Sequence, residues 1–285
     1  MSTVCNWDDA KKEPWAHLRL PPFSPVALRV LQLASKENVQ LHELSQLISC
    51  DQALSSEILA IVNSLAYAPR VPVASILQAI AMMGANHLQG LCLTVAIRGY
   101  LGKSIGHPIM QGLWRHNMAC ATIAEQLAAI SFMDHDVAFT CGVMHDIGRM
   151  ALATVGQKAY LELLANHVGD ARSILESEHR IFGKDHCEIG RQLISEWKLP
   201  EDFEPIVAEH HADFPENCTC NLSSLVKISC QLADAAGFPA FPGCHTAPYE
   251  ELLQLLPERE RRLFFSDLGS LVFEINKKIH AVESI

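Results

Sequence analysis

Long apolar runs, alternating strand-like patterns and clusters of basic residues are all scarce in this sequence, and each scarcity excludes a class of protein. No stretch reaches the uninterrupted length of a membrane span. The opening MSTVCNWDDAKKEPWAH carries acids early and lacks the apolar core of a signal peptide, so a cytoplasmic chain with no membrane partner is expected. Only 22 lysines and arginines stand against 32 acidic residues, and a net charge of −10 is poorly suited to neutralising a polyphosphate backbone. No nucleic-acid partner is expected; the short helices of residues 41–62, which could mimic a helix-turn-helix, carry no lysine or arginine.

Two chemical signatures are also incomplete. Gly102-Lys103-Ser104 has Ile97 where a phosphate loop needs its first glycine, and no strand pattern precedes it. Cys218 and Cys220 form a C-x-C pair with no second pair to complete a structural zinc site. Cys92, Cys120, Cys141 and Cys230, out of ten cysteines, lie inside apolar helical runs, where a thiol behaves as a small hydrophobe; the set is read as reduced.

What remains is helical periodicity. With 49% hydrophobic residues in 285, the chain can bury one large core or two smaller ones sharing an interface. Ser24 and Pro25 open a helix with an apolar stripe at Val26, Val30, Leu31 and Leu33; LHELSQLIS forms a second, Asp51 caps a third, and Gly84 ends a fourth. Asn86 starts another. Further helices are expected near 110–131, 135–153, 157–167, 170–180, 185–197, 201–210, 221–237 and 258–281, the last broken. Glycines and a proline in LGKSIGHP mark a subdomain boundary. The fold class is all-α, without repeats or low-complexity tracts. Its divisions are an extension over 1–19, a helical part over 20–105, a second helical subdomain over 106–240 and a C-terminal helical extension over 241–285. Trp114, Trp197 and the pair Met82-Met83 are read as packing residues, and ERERR at 258–262 as a solvated face.

Polar residues stand where a core is expected. GVMHDIGRMA sets His145 and Asp146 inside an apolar run, and a desolvated imidazole and carboxylate need partners. His116, His186, His210, His211 and Asp234 occupy comparable positions on other helices. Singly, each is an ordinary hydrogen-bonded or exposed residue; together they offer the mixed nitrogen and oxygen ligands suited to Fe, Mn, Zn or Ni. Adjacent helical residues diverge by about 100°, so His145 and Asp146 share an ion only across the wedge between them.

This ordered series resembles the HD superfamily of metal-dependent phosphohydrolases. HDIGR, FGKDHCEIG, W-K-L-P and HH, with LPPFSPVALRVLQLAS, ELSQLISCDQALSSEILAIVNSLAY and SILQAIAMMGANHLQGL before them, are similar to its HDOD branch in particular, from about Leu20 to about Gly237. The resemblance implies a multi-helix bundle with an N-terminal helical part and a divalent transition-metal site of one or two ions. His116, His145, Asp146 and Asp234 match the primary ligands; His186, His210 and His211 match histidines that serve an additional ion. Gly112 stands where the related HD-GYP phosphodiesterases carry a glutamate, and the loop HHADFPEN replaces their Gly-Tyr-Pro segment. Cleavage of cyclic dinucleotides by that arrangement is therefore not expected.

HDOD domains are commonly regulatory modules, so the resemblance implies a bacterial signal-transduction protein. Its partner is a signalling protein or a small phosphorylated ligand, and a homodimer is left open. The alternative is an active phosphohydrolase, with Asp146 at the ion, Arg149 or Lys184 neutralising the phosphate and a histidine of the pair His210 and His211 protonating the leaving oxygen. A partner-binding role predicts exposed apolar side chains on the N-terminal helices. Asn63-Ser64 matches an HDOD position that the sequence alone does not explain.

Overall fold

The computed structural model describes residues 23–34, 40–213, 221–264 and 267–284, with the side chains of 34, 103 and 104 excepted. The N-terminal extension and the pair Cys218 and Cys220 lie outside these residues.

The elements are α1 (Pro25–Ala34), α2 (Leu41–Ser49), α3 (Gln52–Val62), α4 (Ile76–Met83), α5 (Ala85–Leu101), a 3-10 turn (Gly102–Gly106), α6 (Pro108–Ile130), α7 (His135–Met144) and α8 (Ile147–Val155). They continue with α9 (Gln157–Asn166), α10 (Ser173–Phe182), α11 (His186–Glu196), α12 (Phe203–Glu209), α13 (Leu222–Ala235), α14 (Tyr249–Leu253), α15 (Glu258–Leu263) and α16 (Leu268–Glu283). Among the described residues there is no strand, only one isolated parallel bridge between Gly169 and Cys244.

Local chemistry explains most boundaries. Asp51 accepts from the Leu54 amide at the start of α3, and Asp185 and Glu188 form a reciprocal capping box at the start of α11. Gly84 sits at φ +89°, beyond L-residue comfort, and turns the chain from α4 into α5. Asn63 does the same work by hydrogen bonding: its side chain donates to Val73 O and accepts from Val73 N, at 2.9 and 2.8 Å, closing the loop between α3 and α4. That supplies a physical role for the Asn63 position.

One expected helix is corrected. The run over 135–153 is not continuous but divides at His145 and Asp146, with His145 closing α7 and Asp146 opening α8. The short helix α14 was not expected from the sequence.

A single contiguous apolar core runs from Phe23 to Val282, so the N-terminal and C-terminal helices share one interior. Helix α6 lies at its centre, packed by α7, α13 and α16. Trp114 is fully buried; Trp197 is half-buried and stacks on Phe23 with ring centroids 4.6 Å apart. Of the methionine pair, Met83 packs on the core while Met82 is exposed. In ERERR, Glu260 is buried rather than solvated. Seven cysteines among the described residues are free, and Cys92, Cys120, Cys141 and Cys230 are buried as expected. The two parts of the bundle are stitched by His87, whose Nδ1 lies 2.7 Å from Asp136 Oδ1 while Nε2 lies 3.2 Å from Tyr67 OH.

Candidate metal centre

The break between α7 and α8 is flanked on each side by a close helix contact. A Cβ on Gly142 would fall 2.4 Å from Ala121 Cα, and one on Gly148 would fall 1.8 Å from His186 O. Glycine at these two positions lets α7 lie on α6 and α8 lie on α11. The turn between them delivers His145 and Asp146 to one interior point.

Three more helices send imidazoles to that point. His116 comes from the middle of α6, His186 from the first position of α11, and His210 from the end of α12. His116, His145, Asp146, His186 and His210 are buried, each no more than 1% exposed. The Nε2 atoms of His116 and His145 are 3.3 Å apart, as are those of His186 and His210. Asp146 lies between the pairs. Its Oδ1 is 3.1 Å from His210 Nε2 and 3.4 Å from His186 Nε2; its Oδ2 is 3.8 Å from His145 Nε2 and 4.0 Å from His116 Nε2.

The outer nitrogens settle the tautomers. Nδ1 of His116 faces Phe238 O at 2.8 Å, Nδ1 of His145 faces Gly142 O at 2.7 Å, and Nδ1 of His210 faces Val207 O at 2.9 Å. Nδ1 of His186 faces Glu178 Oε2 at 2.6 Å. Carbonyl and carboxylate oxygens only accept, so each Nδ1 carries the proton and donates it, and in a neutral imidazole Nε2 is then a bare lone pair. When all four rings are neutral, four Nε2 lone pairs and a carboxylate converge here, with the Arg149 guanidinium and the Cys230 thiol the nearest donors. Asp146 Oδ2 has no hydrogen bond of its own, although Arg149 Nε lies 3.0 Å from it as an ion pair.

Titration follows the same geometry. Burial, reinforced by His210 and His116 and only partly offset by Asp146, pushes His145 down to about 3. Burial and Arg149 oppose charge on His186, yet the Glu178 carboxylate prevails and raises it to about 10. Burial opposes charge on His210 too, but Cys187 and Asp146 raise it to about 9. Burial works against the charge of Asp146, but Arg149 and the imidazoles hold it well below the carboxylate range. Without an ion, the second pair recruits protons to offset its carboxylates.

The remaining expected residues take separate places. His211 is half-buried, shares the Asp146, His186 and His210 group and accepts from Arg149 Nη2 at 3.4 Å. Asp234 lies behind His116, its Oδ1 3.2 Å from Nδ1, and accepts from the Ala240 amide at 3.0 Å. Its carboxylate backs the ring rather than joining the inner nitrogens. Arg149 is fully buried and its Nε donates to Asp146 Oδ1 at 3.0 Å, with Nη1 directed at Glu178 Oε1 at 3.4 Å. Lys184 donates to Gln192 Oε1 at 2.9 Å. Gly112 has open space around its missing side chain.

Two participants were missed. Glu178 is fully buried and accepts from the backbone and ring of His186 as well as from Tyr160 OH at 2.7 Å. A signal existed: Ile174, Glu178 and Phe182 repeat every four residues on the buried face of α10, so the carboxylate stands in an apolar stripe. The second is Cys230, whose Sγ is 3.5 Å from His116 Nε2.

Paired histidines around one aspartate, gathered from several helices, form a buried histidine-aspartate cluster compatible with a metal ion. The HDOD domain family matches residues 20–213, and the chain belongs to it. A solved HDOD domain protein of unknown function from Geobacter sulfurreducens is 22% identical, with a TM-score of 0.70 over 97% of this chain and 95% of that one. A Shewanella amazonensis protein provisionally named a metal-dependent phosphohydrolase is 20% identical, with a TM-score of 0.66 over 96% of each chain. An uncharacterized Treponema pallidum protein is 27% identical over 67% of this chain, which spans only 37% of that relative's length. Among the described residues no helix is long and apolar enough to cross a membrane.

Proposed function

We propose that this chain is a regulatory HDOD protein of a bacterial signalling system that keeps an HD-type site for one or two divalent transition-metal ions. The observation that carries the metal reading is the set of four Nε2 atoms gathered around the Asp146 carboxylate in a buried interior. An ion at the centre of such a group would take the place of the protons that the imidazoles otherwise recruit. His116, His145 and Asp146 Oδ2 would hold one ion; Asp146 Oδ1, His186, His210 and His211 would hold a second. Asp234 orients His116, and Glu178 orients His186, in the way carboxylates set ligand imidazoles. The nitrogen and oxygen donors suit Fe, Mn, Zn or Ni.

Two features favour regulation over turnover. The ligands are almost wholly withdrawn from solvent, and Arg149 spends its guanidinium on Asp146 and Glu178 rather than on a free surface. In addition, Leu41, Leu65, Val71, Leu77 and Met82 are exposed in the N-terminal part, as a partner-binding role predicts.

A second reading, phosphoester hydrolysis, is favoured by one observation. A cavity of about 560 Å³ is lined by His211 and Cys187, the sequence neighbours of His210 and His186, with two arginines that are each paired to a carboxylate and four acidic residues around them. A bound divalent ion would supply Lewis acidity and a water of lowered pKa there.

Metal analysis of the purified protein beside the His145→Ala, Asp146→Ala double variant tests the first reading. We expect stoichiometric metal in the wild type and little in the variant; equal, negligible metal in both would end it. With metal present, a panel of phosphoesters and nucleotides separates the readings. Hydrolysis no faster than that of the double variant supports the regulatory role, and clear wild-type turnover replaces it with the hydrolase.

A further inference from the structure

The first ion position has an imidazole pair and one carboxylate oxygen, one donor short of the four that a closed tetrahedral site uses. Asp234, the residue that the family resemblance supplies as that donor, is turned to the outer nitrogen of His116 and anchored there by the Ala240 amide and the Cys244 thiol, at 3.0 and 3.6 Å. One helical turn earlier on α13 stands Cys230. Its thiol is buried, lies 3.5 Å from His116 Nε2, and belongs with His116 and His145 to a group whose donor atoms all fall within 4.8 Å of one another. Asp146 Oδ2, buried and without a hydrogen bond, faces the same two imidazoles at 4.0 and 3.8 Å, with Arg149 Nε at 3.0 Å on its other side.

We infer that Cys230 is a metal ligand of the first position, completing a set of two imidazoles, one carboxylate oxygen and one thiolate. This rests on the metal reading above and deepens it by naming the ion class. A thiolate is a soft donor, so the first position favours thiophilic ions such as zinc over manganese, while the all-imidazole and carboxylate second position does not share that bias. On binding, the sulfur forms its bond to the metal as the S–H proton leaves to solvent; no electrons are transferred and no oxidant is needed. Asp234, released from ligation, serves as the positioning residue that fixes the His116 tautomer.

The test uses the full chain, stripped of metal and titrated with cobalt(II), whose thiolate complexes absorb by sulfur-to-metal charge transfer in the near ultraviolet. We expect that band in the wild type, its loss in Cys230→Ser and its persistence in Cys187→Ser, which removes the thiol nearest the second position. Zinc-edge X-ray absorption of the wild type, which needs no variant to fold, should give a sulfur shell at about 2.3 Å. Cobalt bound without the band, or a band lost in Cys187→Ser and kept in Cys230→Ser, overturns the ligand assignment and leaves the metal reading standing. No cobalt bound at all overturns both.

Discussion

Glu178 shows how much of the centre depends on a residue that need not touch an ion. Its carboxylate receives the His186 ring and backbone and the Tyr160 hydroxyl, so one side chain sets the direction of an inner Nε2. Glu178→Gln keeps the size but presents an amide that need not accept from Nδ1. Metal affinity at the second position should fall about 10–100-fold, read by competition with a chromogenic chelator, with the helical content of the protein retained. The titration of the same histidines gives a sign that can be checked. His186 and His210 are raised in the ion-free site, to about 10 and about 9. A raised imidazole stabilises the fold fully below its unfolded pKa of about 6.5 and ceases to do so as pH climbs through the folded value. Chelated protein should therefore lose resistance to urea between about pH 6.5 and 10, whereas loaded protein, whose Nε2 atoms are engaged, should stay level over that window.

Elements explain which parts of this molecule are legible in its sequence. Helices with a cap and an apolar stripe, such as α3 behind Asp51 and α11 behind its capping box, lie within a few residues of where periodicity puts them. The break at His145 and Asp146 does not, because Met144 and Ile147 keep helical apolar spacing on both sides and nothing local forbids continuation. What only the fold shows is how closely α8 approaches α11, leaving no room for a Cβ on Gly148 beside the His186 carbonyl. Gly148→Ala tests this. A methyl group placed 1.8 Å from a backbone oxygen must push the helices apart, at about 1–3 kcal/mol or more of unfolding free energy. The measurement is urea denaturation, and a neutral effect would show that α8 and α11 are not held together there. The same distinction applies to the site. His116, His145, Asp146, His186, His210 and His211 stand out as polar residues on apolar helices and do converge. Cys230 did not stand out, because a thiol in an apolar run is indistinguishable from a small hydrophobe until a neighbouring imidazole is seen beside it. Asp234 lies on the expected helix, but only the fold reveals which nitrogen of His116 it faces.

On the scale of the whole molecule, the centre is built from parts of the chain that only the finished fold brings together. His210 reaches Asp146 across 64 residues of sequence, and Cys230 reaches His116 across 114. An unfolded chain presents these groups singly and binds ions poorly, so an ion taken up by the folded protein draws the equilibrium toward it. By mass action, free ion at a hundred times its dissociation constant is worth about 2.7 kcal/mol, a large share of the stability of an ordinary domain. Thermal unfolding with and without a strong chelator should show the midpoint falling on metal removal, and an unchanged midpoint would mean that nothing binds. The consequence of ligands scattered across six helices reaches beyond binding: the population open to proteases would rise and fall inversely with ion supply. A cell short of metal would then hold less of this protein, without any change in how much it makes.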